Sequence, residues 1–172
     1  VAIVVKGTPA SASAAGPAGN RKTLLVFSDD FDRATAAFIL ANGAASTGSD
    51  VTLFFTFWGL NVLRKSPAPP VAKSFIERMF GWMMPCGPNK LALSKMHLAG
   101  LGTRMIKNIM RKKHVPLLPE LIQSARTAGV RLVACSMTMD LMGIRREELI
   151  DGVELGGVAT FLDSAQASNV NL

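Results

Sequence analysis

Tyrosine is absent from the 172 residues, and only two tryptophans, two histidines and two cysteines are present. Each shortage closes a route. Cys86, His97, His114 and Cys135 are the only soft metal ligands, and their separations match no zinc spacing, so no metal is expected. There is no Cys-x-x-Cys pair, which argues against a thioredoxin-like dithiol oxidoreductase. A Cys-His hydrolase needs a third group to orient its histidine, and the sequence offers none. With no tyrosine, two tryptophans and no helix-turn-helix or zinc-finger context, no nucleic-acid partner is expected.

Long apolar runs are missing too. A bilayer span needs about 18 to 20 apolar residues, whereas the longest block, Val51 to Leu63, is broken by Thr52, Thr56, Gly59 and Asn61. The opening Val1-Ala-Ile-Val-Val-Lys-Gly7 has neither the basic start nor the small-residue cleavage site of a secretory signal. The expectation is a cytoplasmic protein in a reducing compartment, with the sequence beginning partway through a longer one. No G-x-x-x-x-G-K-[ST] loop occurs, and Gly100-Leu-Gly102 lacks a third glycine and a preceding strand. No cofactor is expected.

What remains is 49% apolar and 18% charged, the mix of one compact domain. A chain of this length buries roughly 70% of its unfolded surface, so it needs no disulfide and its cysteines are free for chemistry. Nineteen Lys and Arg against twelve Asp and Glu give a net charge of +7. The excess is concentrated: Arg78, Lys90, Lys95, Arg104, Lys107, Arg111, Lys112 and Lys113 precede Pro119 without one intervening acid. Such a segment suits an acidic protein face, an anionic ligand or a membrane surface.

Residues Thr8 to Asn20 are nearly all Ala, Ser, Gly and Pro, a linker composition, so the domain is expected over 21–172 behind an N-terminal segment 1–20. Thr23 to Ser28 reads as a strand buried on both faces. Asp29, Asp30 and Asp32 supply capping carboxylates, 33–46 a helix that Gly48 ends, and Val51 to Phe57 a second buried strand. This βαβ order implies a parallel sheet with right-handed crossover, hence an α/β class. Beyond Pro67-Ala-Pro-Pro70, a helix over 71–82 and a loop over 83–95 are expected. From Leu101 a helix places Met105, Ile106, Ile109 and Met110 on one side and Arg104, Lys107 and Arg111 on the other. Pro119 opens a helix ended by Gly129, Val130 to Ala134 is a third strand running into Cys135, and Ser136 or Thr138 caps the next helix. Gly156-Gly157 precedes a last helix, and 170–172 begins a closing strand.

Cys135 is the chemically suggestive residue. A cysteine at a strand-to-helix junction on the carboxyl edge of a parallel sheet lies where such folds bind ligands, and the helix start favours its thiolate. The plainer alternative is a small apolar residue closing a buried strand. Cys86, in Met83-Met-Pro-Cys-Gly-Pro-Asn-Lys90, is either a second thiol or an incidental loop cysteine. The aspartate cluster is read as helix capping rather than a phosphate-accepting site. Methionines crowd both cysteines in sequence, which fits core filler or a soft pocket around a sulfur-carrying thiol. The basic helix is either a solvated face or, with Leu, Met and Ile opposite its cations, a membrane-docking one.

Three stretches, Thr23-Leu-Leu-Val-Phe-Ser-Asp-Asp-Phe-Asp-Arg-Ala34, Met83-Met-Pro85 with Lys90-Leu-Ala-Leu-Ser-Lys-Met96, and Val133-Ala-Cys-Ser-Met-Thr-Met-Asp-Leu-Met-Gly143, make residues 21–172 resemble the DsrE/DsrF/DsrH-like proteins of sulfur relay, in the branch sometimes labelled peroxiredoxin-like. The resemblance implies an α/β sandwich, a mainly parallel β-sheet sandwiched by helices, together with homo- or hetero-oligomers and a cysteine that accepts sulfur as a persulfide. Cys135 matches that cysteine by context, whereas Cys86 matches no carrier position. It also implies a small sulfur-carrier or rhodanese-like donor or acceptor, and a carrier or rhodanese neighbour upstream of residue 20. Ser136, Thr138 and backbone amides are candidate donors to the persulfide anion. Lys107 and Arg111 would steer an acidic partner or stabilise that anion. Two other readings stay open: a thiol-dependent oxidoreductase or peroxidase, and an oligomeric scaffold without catalysis.

Overall fold

The computed structural model describes residues 20–71, 79, 81, 84–95 and 100–172. Of the expected linker only Asn20 is among them, and the helix expected over 71–82 lies largely outside, with Met79 and Gly81 helical. His97 also lies outside the described residues.

Five strands, β1 (Arg21–Val26), β2 (Asp50–Phe55), β3 (Arg131–Cys135), β4 (Val153–Gly156) and β5 (Val170–Asn171), form one parallel sheet in the order β4-β3-β2-β1-β5. The described α-helices are α1 (Phe31–Ser46), α2 (Leu101–Lys112), α3 (Leu118–Thr127), α4 (Ser136–Met142) and α5 (Val158–Gln166). Short 3-10 turns cover Phe57–Leu63 and Arg146–Glu148.

The strand order dictates the layers. From β1 to β4 the chain steps steadily one way, and then α5 carries it back across the sheet to β5, beyond β1. Right-handed crossovers therefore put α1 and α3 on one face and α5 on the other. The side chains agree. Leu24, Val26, Leu53, Phe55, Leu132, Ala134 and Val153 pack with Phe31, Phe38 and Ala41 of α1 and with Leu118, Leu121 and Ile122 of α3. Their neighbours at period two, Phe54, Val133 and Cys135, point the opposite way and meet Phe161 of α5. The α/β class expected from the sequence is what the chain adopts.

Several expectations need correcting. β1 is not buried on both faces, because α5, the one helix on the second face among the described residues, does not cover all five strands: Leu25, and Phe27 just past the strand, are exposed. β2 stops at Phe55 rather than Phe57, since Phe57 takes a left-handed backbone (φ 45°) and starts the 3-10 turn. β4 was not expected; its four residues are too short to show a period beside the Asp151-Gly152 turn. The aspartates are not side-chain caps. α1 begins at Phe31 with Asp30 at its N-cap position and no capping side-chain hydrogen bond. Instead Asp30 accepts from the Ser28 hydroxyl, Asp29 from the Asn61 amide, and Asp32 from the Ser94 amide and hydroxyl. They tie three loops together at the carboxyl edge of the sheet.

α2 also departs from the expected two-sided pattern. Ile106 and Met110 pack on the main core, whereas Met105 and Ile109 stay exposed. The apolar arc is wider than the groove beneath it.

Candidate functional site

The site follows from what the chain does after β3 and β4. β3 leads into α4, whose Met139 joins the α1 and α3 core, while β4 leads into α5 on the opposite face. Adjacent parallel strands whose continuations leave to opposite faces create a crevice at their carboxyl ends, the usual ligand position of this fold class. The residues at that point are Cys135 and Gly156, which are paired in register.

The Cys135 side chain lies on the α5 side, with Phe54, Val133 and Phe161. The Phe54 and Phe161 rings are 5.2 Å apart between centroids. Gly156 is needed for this closeness: a Cβ there would come within 2.7 Å of Val133 Cγ1 and 3.1 Å of the Thr160 side chain. Cys135 is consequently only 2% exposed. The covering helix is lightly held, since α5 has no fully buried residue. Of the methionines that crowd the two cysteines in sequence, Met83 and Met96 lie outside the described residues, and among the described ones none packs against the cluster that holds the thiol. Met139 is buried in the other core, Met110 and Met142 pack against that core, and Met137 faces solvent.

Cys135 occupies the N-cap position of α4 with an extended backbone (φ −69°, ψ 110°), displacing Ser136 and Thr138 from the capping role expected of them. Ser136 and Thr138 belong to the first turn, where backbone N–H groups have no acceptor inside the helix. Their hydroxyls are engaged. Ser136 Oγ donates to the Gly156 carbonyl at 3.3 Å, bridging the crevice, and buried Thr138 shares a 2.9 Å hydrogen bond with Thr56.

Lys107 and Arg111 are not brought to the thiol. Both sit on α2, which packs on the core of the opposite sheet face. Lys107 Nζ donates to the Asn89 carbonyl at 2.9 Å and lies 5.0 Å from the Phe31 ring centre. Burial lowers its pKa, and neighbouring Arg111 lowers it further. Its visible role is to hold α2 onto the 84–95 loop, and Arg111 is exposed.

Cys86 is half-buried and lines an open cavity of about 670 Å³ with Asp29, Asp30, Pro85 and Lys90. The two cysteines are not bonded to each other. Among the described residues no three His, Cys, Asp or Glu side chains converge as a metal site requires. Sequence reasoning missed Gly156, Phe161, Phe54 and Thr56. The alternation in Val133-Ala-Cys135 was the available signal for a shared face, and it was hidden because every residue from Leu132 to Cys135 is apolar.

A family model, the DsrE/DsrF/DrsH-like family, matches residues 19–172. The chain belongs to that family. It is 53% identical over 152 residues to the uncharacterized protein YrkE of Bacillus subtilis, covering 88% of this chain and 95% of the relative. It is 39% identical over 145 residues to the sulfur carrier protein DsrE2 of Allochromatium vinosum, covering 82% and 89%. Among solved structures, the ychN protein of E. coli is similar in fold at 13% identity with a TM-score of 0.51, over 89% of this chain and 97% of that one.

Proposed function

We propose that this family member is a sulfur-relay protein that carries sulfur as a persulfide on Cys135 and passes it to an acceptor thiol. The observation that carries the reading is the placement of Cys135 opposite Gly156, where β3 and β4 send the chain to opposite faces. The relative named as a sulfur carrier supports the chemistry.

In the loading step the Cys135 thiolate attacks the outer sulfur of a donor persulfide, R–S–SH. A new S–S bond forms on Cys135 as the donor's S–S bond breaks, and the donor leaves as a thiolate, so no net oxidation occurs. Attack by an acceptor thiolate on the outer sulfur of the Cys135 persulfide regenerates the thiolate. Loading requires α5 to move away, because Phe161 packs against the cluster of Phe54, Val133 and Cys135 in which the thiol is buried, and a helix without a buried anchor opens locally at lower free energy than the core. In this reading Lys107 and Arg111 act at a distance from the sulfur, in partner attraction only. The donor and acceptor are proteins with reactive persulfides or thiols, of the small-carrier or rhodanese-like kind, and the protein works in the cytoplasm as a homo-oligomer.

The burial of Cys135 favours a second reading, a scaffold whose cysteine only fills space. Intact-mass measurement after incubation with polysulfide separates them. Sulfur relay predicts an increase of about 32 Da, one sulfur atom, in wild type and in Cys86→Ser, and none in Cys135→Ser. An unmodified protein supports the scaffold, and loading confined to Cys86 overturns the assignment of the site. Turnover of peroxide with sulfinic acid at Cys135 would indicate a peroxidase.

A further inference from the structure

The exposed face of α2 is unexplained by sulfur chemistry. Leu101, Met105 and Ile109, one helical turn apart, form a row along its outer surface and are 64%, 48% and 41% exposed. On the same helix Arg104, Arg111 and Lys112 are exposed, followed by exposed Lys113, and α2 contains no acidic residue. Beside the start of the row is an open concavity of about 480 Å³, lined by Lys90, Arg104 and Lys107 next to Leu101, with no carboxylate in its lining. The ends of Lys90 and Arg104 have no ion-pair partner among the described residues.

We propose that α2 docks this protein on the surface of an anionic lipid bilayer, with Leu101, Met105 and Ile109 in the acyl boundary and the concavity of Lys90, Arg104 and Lys107 receiving a lipid phosphate headgroup. The occupant follows from shape and charge together. The apolar residues make a convex ridge on a helix about 18 Å long, and a ridge bordered by long cationic side chains fits a fluid interface. A protein partner would have to supply a matching groove with acidic walls. Contact is interfacial, since no helix among the described residues is long and apolar enough to cross a membrane.

The test is co-sedimentation of the full chain with vesicles of phosphatidylglycerol and phosphatidylcholine, against vesicles of phosphatidylcholine alone. Each cation near an anionic surface strengthens binding by roughly a factor of five, so the mixed vesicles bind at least about tenfold more tightly, and added salt weakens the binding. Met105→Glu with Ile109→Glu lowers the affinity at least about tenfold, and so does Arg104→Glu with Arg111→Glu. These positions are exposed, and circular dichroism checks that each variant remains folded. Equal binding to both vesicle types, or pairs of substitutions without effect in folded protein, overturns the proposal. Absence of binding to anionic vesicles also overturns it and points instead to an acidic protein face. The sulfur-loading assay on Cys135 is read separately, so either proposal can fail alone.

Discussion

Asp32 accepts hydrogen bonds from the Ser94 amide at 2.9 Å and the Ser94 hydroxyl at 2.7 Å. Burial opposes its ionisation, but those bonds and nearby Arg33 outweigh it and leave the carboxyl below its ordinary pKa. A depressed carboxylate adds stability above its unfolded pKa, about 3.9, and loses that contribution as pH falls through the folded value. Ser94→Ala is expected to move the Asp32 titration upward and to flatten the loss of stability below about pH 4, read by carboxyl NMR titration and acid unfolding. An unchanged titration would contradict this. Cys135 was legible at this scale, since a cysteine closing an apolar strand before a helix is visible in the sequence. Its neighbours were not. Gly156 and Phe161 become neighbours only through the pairing of β3 with a strand too short to recognise and through the return of α5 across the sheet.

At the scale of elements, the proposed sulfur loading makes α5 the gate to the thiol. Phe161 is packed against the cluster of Phe54, Val133 and Cys135, so Phe161→Ala removes an apolar hold of the helix on that site. A loss of about 1.4 kcal/mol in opening free energy corresponds to tenfold. The rate of Cys135 alkylation by iodoacetamide in native protein is therefore expected to rise by about tenfold or more, with Cys86 labelling unchanged. Equal Cys135 rates in both proteins would show that α5 is not the gate. For α2, helical periodicity separated apolar from charged residues but not buried from exposed ones. Ile106 and Met110 face the core and Met105 and Ile109 do not, because burial depends on how wide a groove the rest of the fold offers.

For the molecule as a whole, the parallel α/β architecture could be read from strand, helix, strand order, because a crossover of that kind has one hand and one strand direction. The buried ion pair could not, as its partners are far apart in sequence. Arg64 donates to Glu148 at 2.9 Å, both are almost fully buried, and the pair joins the Phe57–Leu63 turn to the segment entering β4. Glu148→Ala strands a buried guanidinium and is expected to reduce unfolding free energy by about 3–5 kcal/mol, measured by urea titration. A loss below about 1 kcal/mol would mean that water reaches Arg64 and that the junction is less tightly closed. The most direct measurement of the central claim is peptide mapping of native protein that has been exposed to polysulfide and then alkylated. A persulfide adduct on the Cys135 peptide, discharged on adding an acceptor thiol, is the predicted result. A bare Cys135 peptide from fully folded protein would contradict it.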